Sequence, residues 1–155
     1  PVRESVVIAG TARGPKRTVF QYFKRWGLGR WWVSEVSMNR ELYEASQGKV
    51  WETWWVDVMD EVDASQPPIR EVADDIKPIV SSRGSWIFVS LGERCTLIEY
   101  FHWTDPGGAV GAAQRLLVTK TIRNTLDGAA RMATDHVDEP HDGPPFLRPD
   151  GTTIE

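Results

Sequence analysis

The first apolar positions cluster in a short β-branched run, residues 3–9 (RESVVIA), which predicts an opening strand. Thr11–Gly14 is polar and runs into Pro15, a turn signal. Pro15 also suits the first turn of a helix, where its missing N–H costs nothing. Across residues 15–26 the apolar side chains fall at Val19, Phe20, Phe23 and Trp26. That is the spacing of one helix face, and Gly27 and Gly29 end it, so a helix is expected there. Residues 30–38 (RWWVSEVSM) fit a short helix or a strand equally well. Asn39–Lys49 is polar. Residues 49–61 then alternate, with Trp54, Val56 and Val58 on one face and Trp51, Thr53 and Trp55 on the other. This predicts a long strand with a covered inner face and a partly covered outer one.

Ser65–Pro68 reads as a loop, and residues 69–83, interrupted by Pro78, carry no clean period. From Gly84 the pattern sharpens. Residues 85–91 (SWIFVSL) and 95–104 (CTLIEYFHWT) are strands joined by a hairpin at Gly92–Arg94. Asp105-Pro-Gly-Gly108 stops the second strand. Ala109–His136 is proline-free, with an apolar stripe at Val118, Ile122, Leu126, Ala129 and Ala133. It predicts a helix of about 25 residues, about 37 Å long at 1.5 Å per residue. Residues 138–155 hold four of the ten prolines and read as an extended tail. The expected organisation is one domain over residues 1–137 followed by that tail. Strands with few intervening helices point to an antiparallel sheet, hence α+β.

Composition narrows the function classes. A chain of 155 residues, 41% apolar and 26% charged, can hold a core without disulfide or metal staples. A net charge of −4 argues against a basic nucleic-acid face, so no nucleic-acid partner is expected. One cysteine excludes a disulfide framework and a Cys-rich zinc site. No apolar run reaches the roughly 18–20 residues of a membrane span. Residues 1–9 are too short and too charged for a secretory signal, and a lone Cys95 fits a reducing compartment, so a cytoplasmic location is favoured. Eight tryptophans are more than a core of this size requires.

Gly84 and Trp86, then Thr96, Ile98 and Tyr100, then Asp105–Gly108, ahead of a helical segment containing TLDGAAR (125–131), form a recognisable order. It resembles the START-like superfamily, which includes START lipid-transfer domains and the SRPBCC group of polyketide cyclases and lipid-transport proteins. The family pattern is G-x-W, a strand, a short turn, T-x-V-x-Y and D-P-G-G. The match covers residues 84–131, and the N-terminal half agrees in layout only. The resemblance implies a helix-grip fold: a curved antiparallel sheet wrapped around a long C-terminal helix, with a cavity between them. It also implies a hydrophobic small-molecule ligand, a lipid, sterol or polyketide, with transient membrane contact during exchange. No cofactor is implied.

On that reading the expected ligand-binding residues are Trp54, Val56, Trp86, Phe88, Ile98, Tyr100, His102, Ile122, Leu126 and Ala129. Pockets of this kind are lined by apolar and aromatic groups with a few polar ones. Trp31 and Trp32 are expected near the mouth, and a lid near the first helix or Gly27–Gly29. Trp55 and Trp103 fit the outer face of the sheet. His102 interrupts an apolar strand with the parity of Ile98 and Tyr100, which makes it a candidate polar contact or acid–base group. Glu99 has the opposite parity, so a Glu99–His102 dyad is not expected.

Other chemistry is thinly represented. His136, His141, Asp135, Asp138, Glu139 and Asp142 are metal-ligand types, but they crowd a proline-rich tail and no metal site is expected. Cys95 beside Arg94 has no histidine near it in sequence, and Gly107–Gly111 lacks the G-x-G-x-x-G spacing of a dinucleotide loop. No catalytic residue is assigned. Two alternatives to simple binding stand: an aromatase/cyclase on the same scaffold, using His102, Tyr100 and Arg13, and a protein-interaction domain of the co-chaperone type.

Overall fold

The computed structural model describes residues 4–25, 28–93, 95–107, 122–131, 134 and 145–154. Seven strands form one open sheet: β1 (Glu4–Gly10), β2 (Lys16–Arg25), β3 (Leu28–Met38), β4 (Val50–Asp57), β5 (Lys77–Pro78), β6 (Ser81–Gly92) and β7 (Cys95–Asp105). The order across it is β1-β2-β3-β4-β6-β7, antiparallel throughout. The short β5 adds in parallel beside Arg30 and Trp31 of β3. The architecture is thus a mostly antiparallel open sheet with short helices.

The segment expected to be the first helix is strand β2. Its apolar residues serve both faces: Phe20 pairs with Val33 on one, and Val19 pairs with Ser34 on the other. All four side chains are buried. When both faces of a strand are covered, its apolar positions lose strict alternation and imitate a helical stripe. Residues 16–25 are strand, so the described residues place no helical lid there. The ambiguous 30–38 run is β3, which spans β2, β4 and β5.

Helix α1 (Arg40–Ala45) lies in the polar stretch between β3 and β4. Asn39 caps it by accepting from Leu42 N at 3.0 Å, and its side-chain amide donates to Glu52 at 2.7 Å. Such a cap satisfies a backbone donor that the first turn leaves unpaired.

Residues 58–80, the least legible stretch, supply the lid of the core. They hold a 3₁₀ turn (Met59–Glu61), helix α2 (Ile69–Ala73) and β5. Ile69 and Ile76 press onto Phe20, Trp31 and Val33, with Ile8, Tyr22, Val58, Met59, Val62, Val72 and Ala73 around them. Backbone bonds from Val58 to Val33 and from Ile79 to Trp31, each 3.0 Å, pin both ends of the excursion to β3. This core covers one face of β1–β3 and leaves β4, β6 and β7 beyond it.

Of the predicted 109–136 helix, residues 122–131 and Thr134 are helical, and the rest lies outside the described residues. The described stretch is about 15 Å long at 1.5 Å per residue. Within it Ile122, Leu126 and Ala129 are half-buried. No described helix is long and apolar enough to cross a membrane. Within the expected tail the described residues begin at 145; Leu147 and Thr153 bridge to each other, and Leu147 N donates to Arg13 O at 3.3 Å. The Arg13 guanidinium sits 4.2 Å from the Phe146 ring centre.

Candidate functional site

Register decides which side chains share a surface, because directly paired antiparallel residues project to the same side. Trp55 pairs with Gly84, Gly84 with His102, Trp86 with Tyr100, and Phe88 with Ile98. These residues occupy one face of β4, β6 and β7. The rings form a continuous row. Trp86 lies 4.3 Å from Tyr100 and stacks on Phe88 at 5.9 Å. Trp55 stacks on Tyr100 at 6.1 Å and reaches His102 at 5.8 Å, and Tyr100 and His102 are 5.9 Å apart. Spacings of this kind are the favourable range for ring pairs.

Gly84 makes the row possible. It stands between Trp55 and His102, and the Trp55 indole lies over its backbone, in the space a β-carbon would fill. Any side chain there would lift the indole away from Tyr100.

One end of the row is polar. Trp55 Nε1 donates to Ser82 Oγ at 3.4 Å, Ser82 Oγ is 3.4 Å from Thr104 Oγ1, and Thr104 Oγ1 is 2.5 Å from His102 Nε2. Asp57 closes the base of the group, accepting from Ser81 Oγ at 2.6 Å and Ser82 N at 2.9 Å. Beside it, the buried Ser34 hydroxyl has no partner. His102 keeps an exposed edge, yet Trp55, Tyr100 and Thr104 crowd its ring. This partial loss of water lowers its pKa, and the same effect raises that of Tyr100. At neutral pH the row therefore carries an uncharged imidazole and an uncharged phenol.

The expected ligand-binding residues divide between surfaces. Trp86, Phe88, Ile98, Tyr100 and His102 lie on one face, the shared side of Ile98, Tyr100 and His102 being the one their parity predicts. Trp54 and Val56 do not join them. Trp54 pairs with Ser37 and Ser85, and Val56 with Glu35 and Arg83, which places both on the opposite face. There they line an open cleft of about 310 Å³ with Arg83, Ser85 and Phe101. Phe101 is 52% and Trp103 45% exposed, so this face is an uncovered apolar patch, with the Arg83 guanidinium 5.1 Å over Trp103. Ile122, Leu126 and Ala129 share the helical segment, three and four residues apart on one side.

The remaining tryptophans serve other ends. Trp31, expected near a pocket mouth, is in the core with its Nε1 unpaired. Trp32 donates to Gln21 at 3.1 Å, and Trp51 donates to Gly48 O at 3.2 Å under Tyr43. Sequence reasoning missed Trp55 and Thr104 as partners of His102, and Ser82 and Asp57 behind them. The signal that finds them is cross-strand register, which spans residues up to 47 positions apart (Trp55 to His102).

A second open cleft, about 260 Å³, lies between β1–β3 and residues 58–66 and is lined by Ile8, Thr18, Glu35, Glu61 and Asp63 among others. Among the described residues no group of three or more His, Cys, Asp or Glu is placed to hold a metal. The acidic and histidine-bearing stretch 135–142 lies outside them. Cys95 is an exposed free thiol at the start of β7. No family model, curated protein or solved structure matches the chain.

Proposed function

We propose that the protein binds a hydrophobic small molecule of lipid, sterol or polyketide type on the aromatic face of β4, β6 and β7. The observation that carries this reading is the unbroken row of Phe88, Trp86, Tyr100, Trp55 and His102. A core needs no such row ending in a neutral imidazole, whereas a pocket for an apolar ligand uses both parts. Burying about 200 Å² of ligand surface there would contribute about 5 kcal/mol before the cost of association. The amphipathic stripe at Ile122, Leu126 and Ala129 would cover the ligand from above. The order of motifs over residues 84–131, similar to START-like proteins, favours the same arrangement of sheet and C-terminal helix.

The test uses two faces of one strand. Uptake of a fluorescent sterol or polyene fatty acid, read by quenching of tryptophan emission, should fall at least tenfold in Trp86→Ala. Trp54→Ala, on the opposite face, should leave it unchanged. The reverse pattern refutes the assignment. A second reading rests on that opposite face, whose exposed Leu97, Phe101 and Trp103 would suit a protein partner. A Trp103→Ser variant that loses a protein partner but keeps lipid uptake would establish it.

A further inference from the structure

One order of the hydrogen atoms keeps every donor along the polar end of the row paired within it. Trp55 Nε1 can only donate, so Ser82 Oγ accepts from it. Ser82 is 2% exposed, and its own hydroxyl hydrogen needs an acceptor. Asp57 Oδ2 takes Ser81 Oγ and Ser82 N, and the oxygen in contact with Ser82 Oγ is Thr104 Oγ1. Ser82 therefore donates to Thr104. Where Thr104 passes its own hydroxyl hydrogen on within the chain, His102 Nε2 is the atom that accepts it. The opposite order would have Ser82 Oγ accept twice and strand its hydrogen in the interior.

An imidazole that accepts at Nε2 carries its hydrogen at Nδ1. Among the described residues nothing bonds Nδ1. Resting on the binding reading above, we infer that His102 presents a fixed Nδ1–H donor at the end of the aromatic row, selecting planar apolar ligands that carry a carbonyl or another acceptor oxygen over ligands that offer only a donor. His102 is then a specificity-determining residue, and Trp55, Ser82 and Thr104 are positioning residues that set its tautomer. The lowered affinity of the crowded ring for a second proton agrees with a neutral imidazole in this role.

Three nearly isosteric tricyclic probes separate the possibilities: 9-fluorenone offers an acceptor, carbazole a donor, and fluorene neither. Titrated at pH 8, the intact protein should bind fluorenone about fivefold more tightly than fluorene, the scale of one net hydrogen bond. Carbazole should bind no better than fluorene. His102→Phe should erase the preference, bringing fluorenone and fluorene to equal affinity. Thr104→Val, which frees Nε2, should raise carbazole relative to fluorenone. Independently of any ligand, long-range ¹H–¹⁵N correlation spectra should show the His102 signal, identified by its loss in His102→Phe, as the Nδ1–H tautomer. An Nε2–H tautomer overturns the inference outright. The expected tautomer with equal affinity for fluorenone and carbazole overturns the selectivity while leaving the row as a binding face. Binding of none of the three probes overturns both.

Discussion

Replacing Gly84 with alanine adds one methyl group at the centre of the candidate site. The new β-carbon would sit inside contact distance of Trp55 Cζ2 and of the Phe101 backbone oxygen, and 2.5 Å from Trp55 Cη2. Ordinary carbon contacts lie at about 3.5–4.0 Å. The Trp55 ring can swing away, but the Phe101 oxygen belongs to the β6–β7 ladder and moves only if the ladder distorts. Overpacking costs about 1–3 kcal/mol, and a backbone obstacle puts this case near the upper end. Loss of the Trp55–Tyr100 stack adds about 0.5–1.5 kcal/mol, for a total of about 3–4 kcal/mol. In urea unfolding followed by tryptophan emission, the midpoint should fall by about 1–2 M. Near-ultraviolet circular dichroism should weaken as the ring pairs separate. Gly128→Ala is the control of opposite sign. Nothing lies within 4 Å of the added carbon there, and alanine should stabilise the helical segment by about 0.5–1 kcal/mol. An unchanged midpoint and unchanged aromatic dichroism in Gly84→Ala would refute the close approach of Trp55 to the β6 backbone.

Phe20 is fully buried at the centre of the core, so Phe20→Ala should cost about 3–5 kcal/mol, read as the loss of most of the denaturation midpoint; a cost below about 1 kcal/mol would mean that α2 and β5 do not seal that face. Burial holds the folded-state pKa of His102 below 6.5, so the folded state binds fewer protons than the unfolded chain in the window just below that value. Its contribution is whole above pH 6.5 and is lost as pH falls through the lowered folded value, so stability should decline with acid. Urea midpoints at pH 8 and pH 5 should differ less in His102→Gln than in the parent protein, and equal differences would remove His102 as the cause.

The β6–β7 hairpin was legible because its strands alternate cleanly and a short Gly92 turn joins them. Tyr100 and His102 could be assigned a common face by parity alone. Parity does not say which face of β4 meets that of β7. The sequence pattern puts Trp54 and Val56 on the expected ligand face, and the pairings Trp55–Gly84–His102 put Trp55 there instead. Strand β2 imitates a helix for a different reason. Val19 and Phe23 serve one face while Phe20 and Tyr22 serve the other, so no two-residue period survives. Residues 69–83 resisted because α2 is five residues and β5 two, too short for a period to show.

The meander has a kinetic corollary. Within the sheet, β1–β2, β2–β3 and β6–β7 each close short connections, and local pairings of this kind form quickly. The β4–β6 ladder instead spans residues 58–80, the longest connection in the sheet, and loop closure grows costlier with length. That same segment delivers Ile69 and Ile76 onto Phe20. Sealing the core and joining the two halves of the sheet are therefore coupled events. Trp55 comes from one half, and Trp86, Tyr100 and His102 from the other. The aromatic row is complete only after that junction has formed, which makes quenching between Trp55 and its neighbours a reporter of that step.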